Sequence, residues 1–360
     1  MKDINLKTII AIALLILAMI LNIVLSFRYS APGDLDTFLA SGRAVMNKMN
    51  PYNAPSPNYM HSFGNYTSHA YNLNPPISLI LFGLLSRFDT NFLYNIWTII
   101  SIMLHIFSIL LLGTQYRLST LQLTWAVGIS GLWVGIGTGQ IYELILPIIV
   151  IAWIALERKQ YVLAGIMIGL FCTVKINFLV WPSLLFLAGF RRTAIAAYIS
   201  LVVFSLIPII IWGPLIYIQW FQMVGKVDYL FVPNNASWFG ITLRAGIPWL
   251  GAMSAGIFLL LVAAFVFLRK PGTWDVNSLG LVASVLASPI GWASYSIWML
   301  PIFLSRRWNL NLAIAGAILM VPLPLIEIWG QISLIHLNLL SLIYPAGFLI
   351  IIYQAAFVRR

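Results

Sequence analysis

Two carboxylates stand one residue apart where the chain leaves its first apolar run, in Gly33-Asp34-Leu35-Asp36-Thr37-Phe38. A carboxylate near a membrane boundary is partly desolvated, which raises its basicity and suits it to take a proton. The same residues also read as a solvated loop in which Asp34 caps a helix starting near Leu35. Farther on, Asn50-Pro51-Tyr52 and Tyr71-Asn72-Leu73-Asn74-Pro75-Pro76 set aromatic rings beside amide side chains. A pyranose offers hydroxyls at its rim and C–H faces above and below, so this combination suits a sugar. An aromatic belt at the headgroup level would have the same composition. His61 and His69 lie in the same stretch and could join Asp34 and Asp36 around a divalent cation, but their spacing matches no metal motif.

Cations provide the second signal. Lys175 interrupts the apolar run Phe171-Cys172-Thr173-Val174 and Ile176-Asn177-Phe178-Leu179. A lysine at a helix end can simply snorkel to the interface, or it can hold an anion. Arg244 closes Asn235-Ala236-Ser237-Trp238-Phe239-Gly240-Ile241-Thr242-Leu243-Arg244, and a guanidinium suits bidentate contact with phosphate. Lys226 reads as solvated, and Asn235-Ala236-Ser237 fits the short N-glycosylation pattern. Together Lys175 and Arg244 suit a lipid phosphate headgroup. Glu143 reads either as a helix-capping partner or as a cavity-lining acid, and Ser288-Pro289-Ile290-Gly291-Trp292 as a helix break or a simple proline kink. His105 and His336, isolated on apolar faces, read as structural.

What must position these groups is a membrane protein. Of 360 residues 61% are hydrophobic and 8% charged, and the mean hydropathy is +0.95. A soluble domain carries about 25% charged residues, so much of this apolar surface must face lipid. The net charge of +11 is scattered singly or in pairs between apolar stretches. That pattern fits loops on an anionic leaflet and argues against nucleic acid. One cysteine, Cys172, excludes a disulfide framework. No small-residue cleavage site follows the apolar run 8–27, so it is expected to be an uncleaved first helix.

Apolar runs fall near residues 8–27, 92–113, 121–136, 141–156, 161–175, 177–190, 194–212, 248–268, 276–289, 294–304, 310–325 and 333–353. Several are shorter than the roughly 17–25 residues that cross a bilayer, so they must extend into polar flanks or be broken helices lining a cavity. Basic residues recur at every second break: Lys2/Lys7, Arg117, Arg158/Lys159, Arg191/Arg192, Arg269/Lys270, Arg306/Arg307 and Arg359/Arg360. Placing them in the cytoplasm puts both termini inside with about twelve crossings. It also requires Ile77–Phe88 to lie on the outer surface rather than cross. This orientation collects five stretches outside: the first loop at 28–91, Gly137-Thr138-Gly139-Gln140, Lys175-Ile176-Asn177, the second loop at 213–248, and Ser288–Tyr295.

The order of short motifs resembles the GT-C superfamily of membrane glycosyltransferases, and within it glycosyltransferase family 87, the polyprenyl-phosphate-mannose-dependent mannosyltransferases. The residues that carry it are Asp34…Phe38, Asn50-Pro51-Tyr52, Pro75-Pro76, Gly139-Gln140, Lys175, Asn235/Ser237 with Arg244, and Ser288-Pro289…Trp292, spanning about residues 8–310. The resemblance implies an all-α GT-C fold forming one transmembrane domain over residues 1–360. Its long first outer loop would contain interfacial helices. It further implies an inverting, cell-envelope transferase in the bacterial plasma membrane, acting on the outer face. A sugar, mannose in the family, would pass from a polyprenyl-phosphate donor to an acceptor hydroxyl. Asp34 would be the general base, while Lys175 and Arg244 would hold the donor phosphate. Asp36, Tyr52, Asn74, Gln140, Asn235, Ser237 and Trp292 form the candidate substrate-binding set. No cofactor and no metal is implied, because a departing lipid phosphate needs no nucleotide diphosphate clamp. Membrane lipids, the lipid-linked donor and a lipid or glycan acceptor are the implied partners. Two departures stand out: Asn74 precedes Pro75-Pro76 where the family often has tyrosine, and Ser294 stands where it often has histidine. The competing reading is a transporter or lipid-linked glycan flippase, which should show repeat symmetry and mid-membrane polar groups; neither is evident.

Overall fold

The computed structural model describes residues 6–29, 33–54, 60–63, 66–225, 232–330 and 333–358. It is helical apart from a short antiparallel hairpin, β1 (Met60–Phe63) and β2 (Tyr66–His69). A long first helix, α1 (Leu6–Tyr29), leads into α2 (Gly33–Met46) and α3 (Ser78–Leu85). Then come α4 (Thr90–Gln115), α5 (Thr120–Gly128), α6 (Ser130–Thr138), α7 (Tyr142–Glu157) and α8 (Tyr161–Val174). The middle of the chain forms α9 (Val180–Ala188), α10 (Arg191–Trp212), α11 (Leu215–Val224), α12 (Trp238–Arg244) and α13 (Trp249–Arg269). The last third holds α14 (Thr273–Ala287), α15 (Leu300–Leu304), α16 (Leu310–Ile318), α17 (Leu323–Gly330), α18 (Leu334–Leu340) and α19 (Ile343–Phe357).

Five helical stretches are long and apolar enough to span a bilayer, and a sixth arises if α16 and α17, bent by 57° at their junction, count as one. By length and composition this falls short of the expected twelve. The remaining runs are short or broken for visible reasons. The run at 121–136 divides into α5 and α6, because Ile129 adopts an extended conformation (ψ 132°). The run from 161 onward breaks at Lys175 (ψ 80°) into a 3₁₀ turn at Ile176–Leu179 before α9. By contrast, α7 and α14 are buried nearly all round, as helices enclosed by other helices must be. The stretch expected to lie on the surface, Ile77–Phe88, holds α3, whose 8 residues reach roughly 12 Å, less than half the hydrocarbon thickness. It cannot cross alone.

Small residues set the closest packing. Gly165 and Gly169 on α8 let α10 approach until a Cβ at either position would meet the carbonyl oxygens of Thr193 and Ala197. Close backbone approach at a small-xxx-small stripe is how helices associate without a hydrophobic drive. Gly42 of α2 lies against the Phe82 carbonyl of α3 in the same way. Helix α11 carries Leu215, Ile218 and Phe221 outward, while Ile216, Trp220 and Met223 pack against Val45, Tyr52 and Leu79. Trp220 Nε1 donates to the Leu73 carbonyl at 3.0 Å, tying α11 to the loop that precedes α3.

Candidate active site

Asp34 sits in the first turn of α2, which begins at Gly33, two residues earlier than a cap by Asp34 would require. The helix N-terminus favours a carboxylate there. What aims this turn is the end of α6. Gly139 closes α6 in the left-handed conformation (φ 73°), with Gln140 N donating back to Gly135 O at 2.8 Å. A Cβ on Gly139 would stand 2.6 Å from Leu35 Cβ, so α2 rests directly on this turn. The turn is itself fixed by α4, whose Tyr94 hydroxyl donates to Gly137 O at 3.1 Å and Trp97 Nε1 to Gln140 O at 2.9 Å.

Asp34 is half-buried and acts electrostatically on Lys175, Tyr142, Tyr295 and Glu327. Lys175 stands at the break after α8. Its Nζ donates to Asn74 Oδ1 at 2.8 Å and lies 5.7 Å from the Tyr142 ring centroid and 5.5 Å from that of Tyr295. Cation–π attraction to two rings holds the ammonium in place without neutralising it. The rings are supported in turn: Tyr295 stacks on Trp298 at 4.4 Å, and Tyr142 meets both edge-on at 5.4 Å. Ser294 Oγ donates to the Tyr142 hydroxyl at 3.3 Å.

The amide-rich loop feeds this cation. Tyr52 is wholly buried, and its hydroxyl donates to the Asn74 carbonyl at 3.1 Å. Burial, reinforced by Tyr217, raises its phenol well above the ordinary value, so Tyr52 serves as a neutral donor. Asn72 Oδ1 accepts from Asn74 N at 2.9 Å and Asn74 Nδ2 at 3.2 Å, which turns Asn74 Oδ1 towards Lys175. Asn50 Oδ1 caps the short turn that carries Tyr52, at 2.9 Å.

Other expected site residues have structural partners. Asp36 is buried and faces Arg43 across 3.9 Å on the same helix. Asn235 is a hub: Oδ1 accepts from Ser237 Oγ at 2.9 Å and Gly291 N at 3.0 Å, and Nδ2 donates to Pro289 O at 3.0 Å. Ser237 caps α12 through Gly240 N. Trp292 pairs with Asn235 as an isolated β-bridge. Arg244, expected to grip phosphate, instead donates to Val232 O at 2.7 Å, Asn235 O at 2.9 Å and Ser341 Oγ at 3.0 Å. Burial lowers its guanidinium to about 10, so it stays charged at neutral pH. These residues weld the 232–237 loop to the 288–293 break. The Gln140 Oε1 is buried without a hydrogen-bond partner among the described residues. So are both oxygens of Glu143, which packs against Gly135 of α6.

Among the described residues no group of three or more His, Cys, Asp or Glu could hold a metal. The side chains of His61 and His69 and all of Lys226 lie outside the described residues. His105 Nε2 donates to the Ala126 carbonyl, 2.9 Å away, in an apolar helix interface.

Lys175 is thus held by Asn74 and by the rings of Tyr142 and Tyr295, within electrostatic reach of Asp34. The profile of glycosyltransferase family 87 matches residues 72–289. The chain belongs to glycosyltransferase family 87. It is thus a glycosyltransferase, a helical multi-pass membrane enzyme acting on a sugar donor and an acceptor. Neither a curated protein nor a solved structure matches it. The matched stretch of this family 87 transferase contains Asn74, Gln140, Lys175, Asn235, Ser237 and Arg244, whereas Asp34 precedes it and Trp292 and Glu327 follow it. Two members of the cluster escape sequence reasoning: Tyr142, hidden beside Glu143, and Glu327. A signal for Glu327 does exist, since it is a lone acid in Leu323-Pro324-Leu325-Ile326-Glu327-Ile328, and such residues mark sites by default.

Proposed function

We propose that this transferase moves a sugar, mannose by family resemblance, from a polyprenyl-phosphate donor to an acceptor hydroxyl with inversion. Asp34 is the general base and Lys175 the cation facing the departing phosphate. The observation that carries this reading is the setting of Lys175, which Asn74 and two aromatic rings hold in place within electrostatic reach of Asp34. An alcohol attacks poorly until a carboxylate takes its proton. As the glycosidic C–O bond breaks, the electron pair passes to the phosphate, whose charge grows beside Lys175. Asn74 occupies one of the three ammonium donors and leaves the others for phosphate oxygens. Tyr52, Gln140 and Trp292 line the sugar's surroundings. Asn235, Ser237 and Arg244 act by fixing the second outer loop. The site faces the outer side of a bacterial plasma membrane with both termini cytoplasmic, and the short or broken helices complete the crossings to about twelve.

Replacing Asp34 with asparagine keeps the shape and removes the base. Purified protein should then lose roughly 10²–10⁴-fold in transfer rate from polyprenyl-phosphate-linked mannose, glucose, arabinose or galactose, with unchanged thermal unfolding. Turnover by the Asp34→Asn variant near the wild-type rate would refute Asp34 as base.

A further inference from the structure

Glu327 is a carboxylate at the site with no part in the chemistry above. It lies on α17, the second half of the bent span. Its position is fixed from two directions. Leu323 N, at the start of α17, donates to Ser130 Oγ of α6 at 3.0 Å. Asn234 Nδ2 donates to Glu327 Oε1 at 2.9 Å, and Asn234 belongs to the loop that Arg244 and Asn235 hold against the 288–293 break. Asn234 is its one hydrogen-bond partner among the described residues, so one carboxylate oxygen keeps its accepting capacity. A half-buried carboxylate with an unfilled oxygen accepts strongly from any hydroxyl that reaches it.

The charges around Asp34 give this oxygen a direction. Among the described residues, Asp34 is the charged group felt by both Lys175 and Glu327. Hydrogen bonds bring Glu327 to the same rings: Asn234, which holds it, accepts through its carbonyl from Ala293 N at 2.7 Å, and Tyr295, two residues on, has its ring 5.5 Å from Lys175 Nζ. An anionic lipid phosphate is drawn to Lys175 and repelled by Glu327. In an inverting displacement the attacking hydroxyl and the departing phosphate occupy opposite faces of the anomeric carbon. The acceptor then approaches away from the phosphate, and Glu327 offers a carboxylate oxygen suited to its hydroxyls.

We infer that Glu327, held by Asn234, forms the acceptor subsite, accepting a hydrogen bond from an acceptor hydroxyl adjacent to the attacking one. Such a subsite favours a neutral polyol ring and disfavours an anionic acceptor. This rests on the reading of Asp34 as base and Lys175 as phosphate partner. Glu327 takes no proton in the reaction and positions the acceptor.

The test uses the full chain in lipid nanodiscs, with polyprenyl-phosphate mannose as donor and octyl mannoside as acceptor. Glu327→Gln should raise the acceptor KM roughly tenfold to a hundredfold, as expected for losing a hydrogen bond to a charged group. The donor KM should stay within about threefold, and the rate at saturating acceptor should fall far less than the acceptor KM rises. Asn234→Ala should raise the acceptor KM in the same direction by a smaller factor. Glu327→Asp keeps the charge and provides a folded comparison should the glutamine variant fail to fold; its acceptor KM should lie between the two. An unchanged acceptor KM, or donor and acceptor KM rising together, overturns the inference. Octyl mannoside should also raise the unfolding temperature of the wild type and of Asp34→Asn, but less that of Glu327→Gln. That binding arm stands without turnover, so an active Asp34→Asn variant would sink the base assignment while leaving the acceptor subsite to its own result.

Discussion

Removing the positive charge at Lys175 tests the proposed chemistry at its most exposed point. Lys175→Gln deletes the ammonium that donates to Asn74 Oδ1 at 2.8 Å and stands over Tyr142 and Tyr295. A phosphate oxygen about 4 Å from this ammonium, at an effective dielectric of about 20, gains roughly 4 kcal/mol. The donor phosphodiester carries about one negative charge, and the departing monoester approaches two. The attraction is therefore stronger in the transition state than in the bound donor, which is the condition for acceleration. With solvent and neighbouring dipoles offsetting part of the loss, kcat/KM should fall roughly 10²–10³-fold, about 2.7–4 kcal/mol. The loss should divide between donor KM and kcat and leave the acceptor KM nearly unchanged. Lys175→Arg should recover part of it, because the charge remains while the planar guanidinium cannot reproduce the contact with Asn74 inside the same ring pair. Single-turnover measurements with radiolabelled polyprenyl-phosphate mannose separate the two components. A glutamine variant within threefold of the wild type in kcat/KM would rule out the role of Lys175.

Two further substitutions probe the scaffold. Gly139→Ala places a Cβ at φ 73°, 2.6 Å from Leu35 Cβ, at a conformational cost of about 1–2 kcal/mol. The resulting shift of the first turn of α2 should lower kcat roughly tenfold to a hundredfold with little change in donor KM; steady-state kinetics with a normal kcat would contradict this. Arg244→Ala leaves Val232 O, Asn235 O and Ser341 Oγ without their donor and should destabilise the protein by roughly 3 kcal/mol. Thermal unfolding in detergent should show the drop, and Arg244→Lys should not restore it, because one ammonium cannot serve acceptors arranged around a guanidinium fork.

Much of the site is legible in the amino-acid order because polar residues in an apolar chain are few and each needs a reason. Asp34, Asn74 and Lys175 stand out by type, and Asn74 and Asp34 act on the one ammonium of Lys175. What the sequence conceals is partnership. Arg244 and Asn235 have the same composition whether they grip a ligand or a loop, and only the carbonyls of Val232 and Asn235 and the Gly291 amide decide it. Tyr142 is masked by the more conspicuous Glu143 next to it. Span counting suffers for a related reason. Hydropathy registers apolar length, whereas the breaks at Ile129 and Lys175 are backbone events within apolar sequence. The shortness of α3 is legible because Pro75-Pro76 and Arg87 bound it too tightly for a crossing.

Helix α11, with 10 residues covering roughly 15 Å, offers Leu215, Ile218 and Phe221 to lipid on one side and grips the Tyr52–Leu79 floor on the other. The loop bearing Asn74 is moored to it through Trp220 and Leu73, so any displacement of this apolar face carries the loop with it.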